Sequence, residues 1–434
     1  MSLADQPPAA VLVFQTLLAH GPLTRAEIGR RTGLSPGAVT KVATPLLADG
    51  WITELGRPAV ERANGRPATL IAVRAERARF AGVKVTGDEL IGVLADLTAQ
   101  PLAARRAPLG SRDVGTVVLA IARLIDQLIA AAGPVADGGA PLQGIGVTIS
   151  GDVDGQTGTV QYSPFLDWRR VPLARLVESA TGLPTVIEND VRALTVAEQW
   201  YGAGVGLSSF ALVTVGAGIG AGLSIGGRVV SGAHGVAGEV GHLPVGGTDR
   251  TCTCGNTGCV EAVASTHAIT EQARRAAGDP ELTMAEAVRL AHAGDPAVRA
   301  VFSRAGHAMG LALASVANLI GPERIIISGE GVASYDLYED QIRQTFAAHA
   351  FGAAADCDLV VRPLPFEEWA RGGAAVAAQR VFAPAKAASA RFPVKPASGK
   401  ATPVRATAGK AATAEPAPVT AVPAQEPPTE PAPA

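Results

Sequence analysis

Cysteine is scarce in this chain, with four in 434 residues, and methionine (three), tryptophan (four) and tyrosine (four) are no commoner. A disulfide framework is thereby excluded: three of the cysteines crowd between positions 252 and 259, and Cys357 stands alone as an ordinary core or loop thiol. Long apolar runs are missing as well. Much of the 47% hydrophobic fraction is alanine, and no uninterrupted apolar stretch is long enough to span a bilayer. Met1-Ser2-Leu3-Ala4-Asp5 opens no signal-peptide pattern, so the expectation is a cytoplasmic protein without a membrane partner. Charge of one sign is absent too. A formal net charge of -2 and a pI near 6.4 exclude a globally basic field, and any nucleic-acid surface has to be local.

Glycine (50) and proline (31) are plentiful, and they mark out the organisation. The length predicts two or three domains. Residues 384–434 are Ala, Pro, Lys, Thr and Glu with one aromatic, Phe392, and cannot bury enough to offset their ordering entropy. They read as a disordered, solvated tail whose basic first half offers at most weak, non-specific contact to DNA.

Residues 1–75 read as three short helices and a wing. Positions 9–20 place Val11, Phe14, Leu17 and Leu18 on one face before Gly21-Pro22. Thr24 and Glu27 have capping-box spacing, and Gly33 ends that second helix. Ser35-Pro36 then starts a third helix as N-cap and N1, with Val39, Val42, Leu46 and Leu47 as its stripe. Pro45 predicts a kink or an early stop in it. Strands at 51–55 and 68–73 would complete a winged helix-turn-helix. Ser35, Gly37, Ala38, Thr40 and Lys41 fall at the exposed start of the candidate recognition helix. The wing repeats Gly-Arg-Pro at 56–58 and 65–67 with Arg62 between, so Arg57, Arg62 and Arg66 are candidates for a narrow minor groove. Eight Lys or Arg against five Asp or Glu make this module +3. A protein-binding winged helix with a solvated arginine loop is the alternative.

Residues 232–261 carry the densest chemistry. Cys252, Cys254 and Cys259 on a glycine-flanked knuckle, with His242 upstream, have the spacing of a Cys3His zinc tetrahedron. With all four positions filled by protein, such a zinc is structural. Disulfides or plain buried thiols are the alternative.

Ala237-Gly238-Glu239-Val240-Gly241-His242, followed by Cys252-Thr253-Cys254-Gly255-Asn256-Thr257-Gly258-Cys259-Val260-Glu261, resembles the signature of the ROK family of repressors, uncharacterised frames and sugar kinases. The resemblance covers roughly residues 12–382. It implies an α/β, two-lobed, actin-like body of the sugar-kinase, ribonuclease-H-like kind over 76–383. The alternation of strands at 80–85, 89–96, 101–108 and 142–150 with a helix at 113–132 suits it. So do strands at 210–215, 222–225, 324–328 and 359–363 with helices at 305–320 and 335–348.

By the same resemblance Asn189, Asp190, Glu239, His242 and Glu261 form a sugar shell, and Asp190 would be the general base of an active kinase. Read alone, Glu188-Asn189-Asp190 is more often a helix cap, and Glu239 and Glu261 can orient zinc ligands from behind. The chain departs from the kinases at the first phosphate turn, where Lys84, Thr86, Gly87 and Asp88 stand in place of Asp, two glycines and Thr, and at Ser150, which stands where the family has a proline before the glycine that Gly151 matches. Bound ATP and magnesium are therefore not expected, although the glycine loop 214–220 and Gly329-Glu330-Gly331 survive. The expectation is a sugar-responsive regulator of operator DNA, a homodimer or higher homo-oligomer, and a repressor by analogy. An ATP-dependent ROK sugar kinase is the alternative.

Overall fold

The structure, a computed structural model, describes residues 6–55, 69–133 and 142–382. The wing loop with Arg57, Arg62 and Arg66 and the 384–434 tail lie outside the described residues. The head begins with α1 (Pro8–His20), β1 (Leu23–Thr24), α2 (Arg25–Thr32) and α3 (Pro36–Ala48), and closes with β2 (Ile52–Leu55) and β3 (Leu70–Val73) in a sheet ordered β1-β3-β2. Thr24 and Glu27 make both bonds of the capping box, and Ser35 Oγ accepts from the Ala38 N–H. Gly29 lets the turn close, since a Cβ there would lie 2.9 Å from the Leu34 carbonyl oxygen. The early stop expected at Pro45 does not occur: α3 runs through it to Ala48, and Lys41, whose carbonyl loses its usual partner, lies on the exposed face.

The first lobe contains β4 (Arg79–Val85), β5 (Glu89–Asp96), β6 (Pro101–Pro108), α4 (Val114–Ala131), β7 (Leu142–Ile149), β8 (Asp152–Asp154), β9 (Thr159–Ser163), β10 (Trp168–Val171), α5 (Leu173–Thr181), β11 (Thr185–Asn189) and α6 (Asp190–Tyr201). Its main sheet is ordered β11-β7-β4-β5-β6, antiparallel through β4, β5 and β6 and parallel at β7 and β11. α4 is long and apolar enough to cross a membrane by length and composition, but it lays Val117, Ile121, Leu124 and Leu128 against this sheet as a core helix.

The second lobe contains β12 (Ser209–Val215), β13 (Ile219–Ile225), β14 (Arg228–Val229), α7 (Glu261–Ala264), α8 (Thr266–Ala277), α9 (Met284–His292), α10 (Pro296–Ile320), β15 (Arg324–Ser328), α11 (Glu339–His349) and β16 (Asp358–Val361). Its sheet repeats the first in order, β14-β13-β12-β15-β16. The chain then returns to the first lobe in α12 (Glu367–Phe382), which lies on β4 and β7. The contact is so close that a Cβ at Gly82 would sit 1.8 Å from the Ala370 oxygen and one at Gly146 1.9 Å from the Gly373 oxygen.

One apolar cluster runs from Ala10, Val13, Phe14 and Leu17 of the head to Phe80, Ile91, Ala370 and Ala377, with Trp200 and Tyr201 at the end of α6 packed against it. Head and first lobe therefore share a core.

Candidate functional site

β11 and α6 meet without a loop, so Asn189 ends the strand and Asp190 opens the helix. Asn189 Oδ1 accepts from the Val191 and Arg192 N–H groups, making it the N-cap, and its Nδ2 donates to the Gly151 oxygen at 3.1 Å. The capping reading of this residue is thus realised, with one amide hydrogen left over. Asp190 is buried beside Lys84 of β4, with which it forms an ion pair, and Ser150 Oγ donates to its Oδ2 at 2.5 Å. Burial alone would raise the Asp190 carboxyl. The Lys84 ammonium and the hydrogen bonds from Lys84, Ser150 and the Val191 N–H outweigh it, holding the group below the ordinary carboxylate value.

Arg192 fixes this corner. It pairs with Glu188 at 2.5 Å, donates to the Val153 oxygen at 2.8 Å, and bonds the Gly235 oxygen at the start of the loop that carries Glu239. Sequence reasoning passed over Arg192. Its i, i+4 spacing from Glu188 on a helix start was the available signal.

On the facing side, His242 ends a short 3-10 turn after Glu239. Its Nδ1 lies 3.6 Å from Cys252 Sγ, and its Nε2 points back to Glu239 at 4.0 Å. Cys254 and Cys259 sulfurs are 3.8 Å apart, far beyond a disulfide bond, and all four donor atoms lie within 4.8 Å of one another. Sulfurs on a tetrahedral zinc would be about 3.8 Å apart for bonds of about 2.3 Å, so the donor set fits that ion. Glu261 braces the knuckle: Oε1 accepts from Thr253 Oγ1 at 3.2 Å, and Oε2 accepts from the Ile219 N–H at 3.1 Å. It thereby joins the metal knuckle to the glycine loop 216–218.

That loop has its own occupant. Glu330 Oε1 accepts the Ala217 N–H at 2.8 Å, and a Cβ on Gly216 would lie 2.1 Å from the same carboxylate. An anion of the chain already holds a backbone donor of the kind that cradles phosphate. At the first turn, Thr86 is spent on Glu89 and on the Asp88 and Glu89 amides.

On the head, Ser35, Gly37, Thr40 and Lys41 are all exposed on one side of α3. Thr40 Oγ1 donates to the Pro36 oxygen at 3.0 Å, which leaves its lone pairs outward. The opposite side, Val39, Ala43 and Leu46, is buried.

The sequence is 26% identical over 354 residues to the xylose repressor of Caldicellulosiruptor bescii, covering 79% of this chain and 88% of that one. Among solved structures it is similar to a ROK family transcriptional regulator described as a homolog of the E. coli Mlc protein, with a TM-score of 0.72 and 27% identity over 86% of this chain and 96% of that one. It is also similar to a ROK family glucokinase from Streptomyces griseus in complex with glucose and AMPPNP, with a TM-score of 0.57 and 28% identity over 69% of this chain and 99% of that one. The ROK family profile matches residues 80–380, and this chain belongs to the ROK family.

Proposed function

We propose that the chain is a sugar-responsive transcriptional repressor that binds operator DNA through α3 and the wing and takes a sugar effector in the cleft around Asp190. The observation that carries the reading is α6. Its first residue stands in the cleft, its last turn packs Trp200 and Tyr201 into the cluster that holds the head, and the two ends are about 18 Å apart at the helical rise. A sugar hydroxyl bound at Asn189 and Asp190 therefore acts on the same rod against which α1 rests. A ligand with different affinities for two lobe arrangements shifts the head with them.

In this reading Asn189, Asp190, Glu239, His242 and Glu261 face the sugar. Zinc on His242, Cys252, Cys254 and Cys259 holds the Glu239 and Glu261 side of the cleft in place. The imidazole bridges the two, with Nδ1 on the metal side and Nε2 toward Glu239. Ser35, Gly37, Thr40 and Lys41 approach bases and phosphates of a major groove, and Arg57, Arg62 and Arg66 the flanking minor groove. A homodimer would present two heads to a palindromic operator.

The test is a mobility shift on DNA flanking the gene, with and without D-xylose, D-glucose or N-acetyl-D-glucosamine. Release of a specific complex by one sugar is the expected result. A specific complex indifferent to every sugar, or no specific complex, would count against the reading.

A further inference from the structure

An ammonium taken out of water is costly without partners, and Lys84 is only 5% exposed. It has three. Its Nζ pairs with Asp190, donates to Ser150 Oγ at 3.0 Å, and lies 5.5 Å from the centre of the Trp369 ring. Ser150 Oγ closes the ring by donating to Asp190 Oδ2, and Asp190 Oδ1 takes the Val191 N–H at 2.9 Å. Two of the positions at which this chain departs from the kinase pattern in the first lobe, 84 and 150, thus converge on one carboxylate.

We propose that Lys84 is a positioning residue that holds Asp190 as a paired carboxylate, so that the cleft accepts a hydroxyl at Asp190 without taking its proton. Protonating Asp190 would strand the ammonium of Lys84 beside a neutral acid in a buried site, and a broken buried pair is strongly unfavourable. In the second lobe Glu330 acts with the opposite sign, holding the Ala217 N–H that a transferred phosphate would need. The chain itself satisfies both poles of a phosphotransfer site, and what is left is binding. That a sugar supplies the hydroxyl rests on the function proposed above.

The test compares the full chain with Lys84→Met, Asp190→Asn and the double variant. In thermal unfolding at pH 7 each single variant should lower Tm by roughly 5–10 °C, because each leaves a buried ionisable group without its partner, and the double variant should recover most of the loss. Additive losses would overturn the pairing. Difference infrared spectra at pH 7 should show a protonated carboxylic acid in Lys84→Met that is absent from the unmodified chain and from the double variant. A merely structural lysine would give no such band, and its absence would overturn the assignment. With D-xylose, D-glucose and N-acetyl-D-glucosamine, the unmodified chain should release no ADP from ATP. Sugar-dependent turnover that Asp190→Asn abolishes would also overturn it, since Asp190 would then be removing a proton beside Lys84. Failure of all three sugars to bind would count against the effector reading alone, because the thermal cycle and the infrared band report on the pair without a sugar.

Discussion

The two lobes are built to one plan and finished differently. In register, β4 and β12 run in step as Arg79-Phe80-Ala81-Gly82-Val83-Lys84-Val85 and Ser209-Phe210-Ala211-Leu212-Val213-Thr214-Val215, each beside a parallel neighbour in which Thr148 faces Lys84 and Ser328 faces Thr214. Continuing those neighbours by two residues puts Ser150 and Glu330 at equivalent places, each followed by glycine. In the first lobe the equivalent side chains close a charged ring on Asp190. In the second, the Thr214 hydroxyl makes a 3.4 Å bond to the Gly220 oxygen, while Glu330 caps a glycine loop braced by Glu261. The same backbone therefore carries a buried ion pair in one half and, in the other, carboxylates on main-chain amides beside the His242, Cys252, Cys254 and Cys259 cluster. Ligand specificity can diverge between the halves while the fold stays fixed.

Position 82 and its counterpart 212 break the symmetry most sharply. Gly82→Ala should cost more than about 3 kcal/mol in denaturant unfolding, because the new methyl meets backbone of α12 and not a movable side chain. A midpoint within error of the parent would mean that α12 can lift off the sheet. Leu212→Ala in the second lobe should instead cost about 3 kcal/mol by leaving a hole beside Phe210, Ile326 and Trp369. Cys259→Ala should abolish stoichiometric zinc, read by native mass spectrometry, and blunt the sugar response more than operator affinity; retained metal would remove the knuckle from the comparison. Asn189→Ala should cost about 1 kcal/mol as a lost cap and also weaken sugar binding, a pair of effects separable by calorimetry. Glu330→Gln is expected to change stability by less than about 0.5 kcal/mol at its exposed site and to confer no ATP turnover, because Lys84 still holds Asp190.

What was legible in the sequence is what is local. β5, β6 and β15 coincide with the expected strands, and the caps at Thr24 and Ser35 form as their spacing requires. The four residues of the His and Cys cluster lie within eighteen positions, so the local chain brings them together. Lys84 and Asp190 are 106 residues apart, and no pattern along the chain pairs them. Sequence reasoning saw Lys84 as a lost anion and Ser150 as an altered loop, and only parallel pairing of β4, β7 and β11 turns both toward one carboxylate. α12 was not recognised either. Gly372-Gly373 at its centre lowers helix propensity, yet those glycines are what let it lie against Ala193 and Gly146. Tertiary contact overrides propensity there, as it does at Pro45.

The return of α12 sets an order of events during synthesis. The sheet face formed by β4 and β7 is complete in the nascent chain some 220 residues before its cover leaves the ribosome, a delay of roughly 10–40 s at ordinary elongation rates. Until then the glycine-lined groove over Gly82 and Gly146 is open. Premature termination anywhere before residue 367 would release a polypeptide with that groove bare, a natural target for holding chaperones. The head lies ahead of the body in the chain, and its seat on Phe80, Ile91 and the end of α6 is completed only when Ala370 and Ala377 of α12 arrive.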